Sequence, residues 1–571
     1  MQRVKDDRSS NRYVNSSKLP MKELVLVLLG YPALLLAFFL ALKLFNCGYH
    51  FVDDCEMIFS NIMFYKEGVG LKDFLIEMLK LDLTWRFRPF HILFRFGYAL
   101  FFGTISLLPF AISKYIELAL SMILLHMSAR KLGYKFIPTV LFIFISLIGY
   151  QSATWWRLGT HEVQGLFLLS LGFYLLLNWL YEKKKLCLVF SIMAFGLMSG
   201  YKESFLVVLP FVMAFVIYFD LVLVAGYGKI ERENGTINGL KVVLRILLNS
   251  IKKYLGVLIP LAFFLITSVL FLVFKVGTNN YGDFGVQSVK SISSDLSAWS
   301  EAWRGDLKWF RRFGYLFLLL LMTNWEYIKK CWKELILVSI FIIPQVIIYH
   351  SAGFFERYLI PVSLGYAYIF ILLPAKYEIL KGMRKKVYLG LIVLLLMAHL
   401  RVAVIEADYF RWRGNSIQTA LDTVKSLSDN NVGINILSCM YPNQEGDMTI
   451  YYWQKYFGYD NVYVFLSDED RIIGCNLDIH KHVNFYNYNL ERELADIDVI
   501  VMYNQNDRHW SEYKDLALSD FELYRCGSLD LYIRPDVDVS CLDVIGGTGE
   551  TPIIGGVKTY SYDLRVPELR F

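Results

Sequence analysis

Charge is scarce in this chain of 571 residues, and so are cysteine motifs and repeats. Only 19% of the residues are charged, whereas 56% are hydrophobic, and the mean hydropathy is +0.41. A soluble domain does not have this composition, which indicates a polytopic membrane protein. The eight cysteines show no CxxC spacing, which excludes the common zinc motifs. The net charge of +6 is modest, and we expect no nucleic-acid partner.

Long apolar runs alternate with short polar loops from residue 24 onwards. Runs of this length predict membrane-spanning helices. The predicted fold class is a polytopic α-helical membrane protein of about eleven spans with a small C-terminal α/β domain. The spans are expected near residues 24–45, 105–127, 136–150, 164–180, 186–199, 204–224, 255–275, 311–324, 334–349, 358–375 and 387–404. No small-residue cleavage site follows the first run, so we expect it to remain as a span.

The distribution of lysine and arginine sets the predicted orientation. Residues 1–22 are basic and are expected to be cytoplasmic, and residues 23–405 form the membrane domain. The run Phe90–Phe102 is short for a span, and treating it as interfacial places at least three Lys or Arg in every inner loop. Arg88, His91 and Arg95 then lie on one face of an amphipathic helix. Residues 46–104 become the first outer loop, in a plasma (inner) membrane.

The composition changes after residue 405. Residues 406–571 are predicted to lie outside as an α/β domain of about 130 residues with an irregular, glycine-rich end from Val539. Short strands are predicted at 432–437, 462–466 and 497–503, with a hairpin at 521–524 and 529–533. A helix is predicted at 415–427. Cys439, Cys475, Cys526 and Cys541 pair only if the compartment is oxidising; otherwise they are free thiols.

Charged residues collect at the predicted outer ends of the spans. Several of them adjoin aromatic residues, an arrangement that favours paired, partly desolvated charges over solvated loops. Carboxylates there suit a general base, and arginine or lysine suits a lipid-linked phosphate. The group comprises Asp53, Asp54, Glu56, Arg86, Arg88, His91, Arg157, His161, Glu162, Lys202, Glu203, Glu356 and Arg357. Solvated loop charges would give a similar group, and this plainer interpretation stays open.

The order of four short motifs resembles the GT-C superfamily of polyprenol-phosphate-dependent glycosyltransferases. The similarity is to protein O-mannosyltransferases and the aminoarabinose transferase of lipid A, and it covers residues 20–400. The motifs are Phe51-Val52-Asp53-Asp54 with Ile58 and Asn61, Arg88-Pro89 leading to Phe101-Phe102-Gly103, Lys202-Glu203, and Arg357-Tyr358. His161-Glu162 departs from the pattern, since the aminoarabinose-transferase branch has Asp there.

The resemblance implies an inverting sugar transfer at the outer membrane face, from a polyprenyl-phosphate donor to a hydroxyl of a glycan, lipid or protein. The acidic pair Asp53 and Asp54 would be catalytic, with Asp53 as the base. His161, Glu162 and Glu203 would support the site, and Asp53 with Glu162 would be the ligands if a magnesium or manganese ion is used. The donor phosphate would be held by Arg86, Arg88, His91, Arg157, Lys202 and Arg357.

Two other functions fit a multi-span chain. A transporter or lipid-linked saccharide flippase would also carry charges in its spans, but such folds often show internal duplication and place these charges near the midplane. A polysaccharide polymerase would be expected to have one very large outer loop in its second half, and the loop 277–309 is only moderate. The predicted outer segments contain no Asn-X-Ser/Thr sequon, which favours a bacterial membrane.

Overall fold

The computed structural model of the protein describes most of the membrane domain and of the C-terminal domain. The described residues are 20–51, 54–85, 87–103, 106–157, 159, 162–220, 245, 247–272, 274, 325–349, 360–378, 380–440, 444–467, 469–476, 486–504, 513, 516–545 and 551–555. The predicted eighth span, 311–324, lies outside them.

Helices make up most of the described chain before residue 431. Apolar residues on every face of several of these helices explain their burial in a bundle or their exposure to lipid. The helices are α1 (Met21–Ala41), α2 (Cys55–Tyr65), α3 (Leu71–Trp85), α4 (Pro89–Phe102), α5 (Leu108–Lys131), α6 (Phe136–Leu147), α7 (Glu162–Glu182), α8 (Lys185–Ser199), α9 (Glu203–Tyr218, broken after Leu206), α10 (Leu255–Phe271), α11 (Trp325–Tyr349), α12 (Ile360–Tyr377) and α13 (Gly382–Asn430).

Five of the described helices are long and apolar enough to cross a membrane: α1, α5, α7, α12 and α13. The segment Leu247–Lys253 and helix α10, which meet at 82°, make a sixth if they count as one span. Helices α6, α8 and α9 are apolar but shorter. At a rise of about 1.5 Å per residue, the 12 residues of α6 fall well short of a hydrocarbon core. A multi-span membrane protein is therefore confirmed, but the predicted count of eleven spans is not.

Helix α13 is 49 residues long and joins the two domains. At about 1.5 Å per residue it extends for roughly 70 Å, far more than a bilayer requires. It merges the predicted last span, 387–404, with the predicted tail helix, 415–427. The predicted domain boundary at residues 405 and 406 therefore falls within one continuous helix.

The C-terminal domain is built on a nine-stranded mixed sheet of order β4-β3-β2-β1-β5-β7-β6-β9-β8. Strand β1 is central and runs parallel to β2 on one side and to β5 on the other. Helix α14 (Gln444–Phe457) connects β1 to β2. The strands are β1 (Ile436–Cys439), β2 (Val462–Leu466), β3 (Arg471–Cys475), β4 (Tyr486–Arg492), β5 (Val499–Tyr503), β6 (Glu522–Cys526), β7 (Leu529–Ile533), β8 (Val544–Ile545) and β9 (Ile553–Ile554).

The predicted strands of this domain correspond closely to observed ones. The prediction for β2 matches it residue for residue, and the predicted hairpin is β6–β7. Strands β3, β4, β8 and β9 were not predicted, and β1 overlaps the predicted strand 432–437 only at residues 436 and 437. All eight cysteines are free thiols, so the alternative of disulfides in the tail is wrong for this structure.

The first outer segment and the C-terminal domain share one hydrophobic core. Side chains of α2, such as Ile58 and Phe59, are buried in the same cluster as Val424 of α13, Ile450 of α14 and Val501 of β5. The ring of Phe59 lies 5.1 Å from that of Tyr452. The domain is therefore packed directly on the loop that carries the acidic motif.

Candidate functional site

The structure describes seven of the eleven predicted site residues: Asp54, Arg88, His91, Arg157, Glu162, Lys202 and Glu203. The other four, Asp53, Arg86, His161 and Arg357, lie outside the described residues, as does Glu356. The described seven come from four separate stretches of chain. What brings them together is a series of buried contacts at one end of the helical bundle, next to the C-terminal domain.

Asp54 connects two of these stretches. Its side chain is fully buried just before α2. The backbone N–H of His50 donates to its Oδ2 at 2.9 Å, and the backbone N–H of Gly159 donates to its Oδ1 at 2.6 Å. Backbone donors of this kind stabilise the ionised carboxylate. Asp54 therefore anchors the first outer loop to the loop that precedes α7.

The segment Cys47–His50 lies unusually close to the backbone of α13. A Cβ atom on Gly48, whose φ is +67°, would lie 2.2 Å from the carbonyl oxygen of Gly414. A Cβ on Gly414 would lie 1.7 Å from the carbonyl oxygen of Cys47. Only glycine permits this approach at either position. The pair of glycines fixes the loop against α13 just before the acidic motif.

Glu162 and Lys202 form an ion pair between α7 and the turn before α9. Only 1% and 3% of the two side chains, respectively, is exposed. The helices approach closely here because Gly165 leaves room for the ring of Phe205. A charge buried this deeply needs its partner, since removing one side leaves an uncompensated ion.

Arg88 and Glu203 form a second ion pair beside the first. The guanidinium Nη2 donates to Oε2 at 2.7 Å, and Nε lies 3.1 Å from both carboxylate oxygens. The backbone N–H of Phe90 donates to the carbonyl of Gly200 at 3.2 Å, which holds the start of α4 against the turn that carries Lys202. His91 is buried one residue further on. Arg88 and His91 of the predicted basic face are thus buried, whereas Leu93, Phe94 and Phe101 are exposed.

Arg157 lies against α13. Its guanidinium is 5.5 Å from the centre of the Phe410 ring, and the imidazole of His50 contacts the same ring at 5.6 Å. Burial lowers the pKa of His50 well below its usual value, and the charges of Arg157 and Arg413 lower it further. The His50 imidazole is therefore neutral at physiological pH.

Two ionisable residues near the site were not predicted. Lys114 and Glu117 are buried on α5, in the middle of a segment taken for an ordinary span. Gln164, two residues after Glu162, donates to the Glu117 carboxylate at 2.9 Å. The available signal was the pair of charges three residues apart within an apolar run, because such charges are rare in membrane spans and mark polar sites.

A metal ion does not fit the carboxylates that the structure describes. Both oxygens of Asp54 accept backbone N–H groups, and Glu162 is paired with a lysine. Within the described part of the chain, no group of three His, Cys, Asp or Glu side chains is arranged to hold a metal. The predicted ligand Asp53 lies outside that part, so we derive no chemical step through a metal.

An apolar cavity of about 140 Å³ lies elsewhere in the bundle. Its lining includes Leu125, Phe211, Phe341 and Leu364, with Lys376 at one end. None of the seven described site residues lines it. The cavity is therefore separate from the ion pairs and adds nothing to their chemistry.

The likeness of this chain to solved structures is weak at the level of sequence and shape. The chain matches no protein-family model and no curated protein. The crystal structure of ArnT from Cupriavidus metallidurans bound to undecaprenyl phosphate matches with a TM-score of 0.41 and 10% sequence identity. The match covers 90% of this chain and 99% of that one.

Proposed function

We propose that the protein is a membrane glycosyltransferase of the GT-C type. It moves a sugar from a polyprenyl-phosphate donor to an acceptor hydroxyl at the outer membrane face. The observation that supports this function is the run of buried contacts that joins Asp54 to Gly159, Glu162 to Lys202 and Glu203 to Arg88. These contacts support the proposal because two cations, Arg88 and Lys202, lie at the same end of an apolar bundle as Asp54.

The chemistry requires one base and a cation for the leaving group. The acceptor oxygen attacks the anomeric carbon, the bond from that carbon to the phosphate oxygen breaks, and the anomeric configuration inverts. Asp53 takes the hydroxyl proton, and the polyprenyl phosphate leaves as an anion. Because the leaving group is already charged, it needs electrostatic stabilisation and not protonation.

Arg88 and Lys202 are the described cations that suit this phosphate. Each is held by a carboxylate, so its position is fixed before the donor binds, which reduces the cost of reorganisation. The phosphate would join these pairs as a further anionic partner. Arg157, Arg86 and Arg357 are the additional cations in this proposal, and His91 and His161 are its polar neighbours.

The two acids of the motif have different roles in the proposal. Both oxygens of Asp54 are occupied by backbone donors, so it positions the loop and does not take the proton. Asp53, the preceding residue, is the base. This assignment changes the initial hypothesis, in which both acids were catalytic.

The test is sugar transfer by the purified protein in lipid nanodiscs. Radiolabelled polyprenyl-phosphate hexoses and pentoses are offered with envelope glycolipid, envelope protein or an oligosaccharide, and released polyprenyl phosphate is measured. We expect Asp53→Asn to reduce release by at least about 100-fold, the usual size of a lost general base. The matched control is Asp73→Asn, an exposed acid on α3 of the same outer segment, which should retain full activity.

Each other outcome counts against the proposal in a distinct way. If Asp53→Asn releases polyprenyl phosphate as fast as the wild type does, Asp53 is not the base. No release from any donor overturns the transferase. Intact donor that crosses to the opposite leaflet of vesicles containing the protein supports the flippase instead.

A further inference from the structure

The C-terminal sheet reverses its strand order at β1, which is the kind of place where open α/β folds bind ligands. The chain leaves β1 towards β2 on one side, and β5 pairs with β1 on the other. Such a reversal of strand order leaves a crevice beyond the carboxyl ends of the parallel strands. Here the crevice is bounded by Met440 after β1, by Tyr503 at the end of β5, and by Gly446 in the first turn of α14.

Phe51 of the first outer loop lies in this crevice. Its ring meets the ring of Tyr503 edge-on, with centres 6.1 Å apart and planes at 85°. A Cβ on Gly446 would lie 3.6 Å from Cγ of Phe51, so the ring rests against the start of α14. Only 3% of Phe51 is exposed. The side chain therefore takes the volume that a diffusible ligand would need.

Tyr49 extends the contact along α14. It is fully buried, and its ring meets that of Trp453 at 5.5 Å and 69°. Edge-to-face aromatic pairs of this kind add to the stabilisation from apolar burial. The two aromatic residues of the loop, at 49 and 51, thus contact the domain on either side of His50.

His50 connects these contacts to the acidic motif. Its backbone N–H donates to Asp54, and the preceding glycine, Gly48, lies against the backbone of α13. Asp53 stands between Phe51 and Asp54 in sequence. Phe51 and Asp54, on either side of it, are both held by buried contacts, and the contact of Phe51 is with the C-terminal domain.

We propose that the C-terminal domain is a positioning module whose crevice binds Tyr49 and Phe51 of its own chain, and so sets the place of the acidic pair. The inference rests on the proposed function for its catalytic consequence. Phe51 is a positioning residue, since it acts through Asp53 and not on the substrate. The crevice holds protein where related architectures hold a small molecule.

The experiment compares Phe51→Ala and Phe51→Leu with wild type in the full-length protein in nanodiscs. The control is Phe101→Ala, which removes an 88% exposed ring from the same outer segment. Hydrogen exchange of peptides spanning 47–58 reports docking, with peptides of α5 as the internal reference. Donor-dependent release of polyprenyl phosphate reports kcat and KM.

We expect Phe51→Ala to raise exchange in 47–58 alone and to lower kcat by about 100-fold, the effect of misplacing a catalytic group by about an ångström. KM for the donor should stay within about twofold, because the phosphate cations are untouched. Phe51→Leu should recover much of kcat, and Phe101→Ala should match wild type.

Two results would overturn the inference. One is unchanged exchange in 47–58 for Phe51→Ala, which would show that the crevice does not hold the loop. The other is raised exchange with full kcat, which would show that docking does not position the base. If wild type transfers no sugar, the proposed function fails, whereas the exchange measurement still decides whether the loop is docked.

Discussion

The Oδ1 atom of Asp54 accepts a hydrogen bond from the backbone N–H of Gly159 at 2.6 Å, across 105 residues of sequence. The other carboxylate oxygen accepts from His50. One buried side chain therefore joins two outer loops, and each bond is of the charge-assisted kind that is stronger than a neutral one.

Asp54→Asn should destabilise the protein as well as reduce transfer. An amide offers one oxygen, so one of the two backbone N–H groups would face an NH₂ donor and stay unsatisfied. A buried donor that is left without a hydrogen bond costs about 1–3 kcal/mol of stability. Thermal unfolding in nanodiscs should show a lower midpoint for Asp54→Asn and an unchanged one for Asp73→Asn. An unchanged midpoint for Asp54→Asn would contradict the anchoring role.

Variants of the buried pair of Glu162 and Lys202 should show that stability can be restored without restoring activity. Glu162→Gln leaves the Lys202 charge buried without its carboxylate, which should cost about 3–5 kcal/mol. Adding Lys202→Met should restore most of that stability, because neither member of this pair is then left as an uncompensated charge. Transfer should stay low in the double variant, since a phosphate cation is missing. Recovery of both properties together would mean that the pair is purely structural.

The forked geometry of Arg88 on Glu203 predicts that lysine cannot replace it. Arg88→Lys keeps the charge but loses the parallel donors, so we expect transfer to fall by about tenfold or more with a raised KM for the donor. The comparison is Lys80→Arg, an exposed change on α3, which should have no effect. Full activity of Arg88→Lys would exclude a bidentate role for this residue.

Gly414→Ala should disrupt the docking of the first outer loop. The added methyl would lie 1.7 Å from the carbonyl oxygen of Cys47, so the backbone must separate. Gly390, on the same helix, has nothing within 4 Å of the added methyl. Gly390→Ala should be neutral or stabilise α13 by up to about 1 kcal/mol. Transfer assays and unfolding midpoints of the two variants test this contrast, and equal behaviour would refute it.

The stability of the C-terminal domain should depend on pH because of Asp447. Burial raises its pKa to about 7, against hydrogen bonds from Ser438, Met440 and Tyr486 that lower it. Because the folded pKa exceeds the unfolded value of 3.8, the folded state binds more protons between these values. The contribution of Asp447 to stability is therefore complete below pH 3.8 and falls as pH rises towards 7.

Asp447→Asn should remove this dependence. The linkage between protonation and folding limits the variant's gain in free energy of unfolding to about 4 kcal/mol at pH 8. The gain shrinks towards zero near pH 4. Hydrogen exchange of peptides from β1 and α14, corrected for intrinsic rates, measures it between pH 5 and 8. A parallel pH profile for the variant and wild type would show that another group titrates.

Local sequence signals were sufficient for much of the bundle and for part of the sheet. The ends of α8 and β2 follow directly from apolar runs bounded by charges or turns. The distribution of lysine and arginine also predicted that Arg88, Lys202 and Glu203 lie at the same end of the bundle. The structure pairs Arg88 with Glu203. These features depend on neighbours in sequence, which is why periodicity and charge can predict them.

Features that depend on tertiary contacts could not be predicted in this way. The role of Asp54 is set by an N–H group 105 residues away. Strand β4 is largely exposed and polar, so it lacks the apolar alternation by which strands are recognised. The continuity of α13 was hidden because Glu406, Asp408 and Arg411 look like the end of a span, although they begin a helical bridge between two domains.

The site can form only after the 49 residues of α13 have been synthesised. Its contacts with Gly48, and those of the domain beyond it with Phe51, require chain made some 360–450 residues after the acidic motif. The ribosome delivers Asp53 early, yet the partners that hold its loop arrive near the end of translation. A chain released before α13 lacks the contacts with Gly48 and Phe51, so under the proposed function we expect it to be inactive.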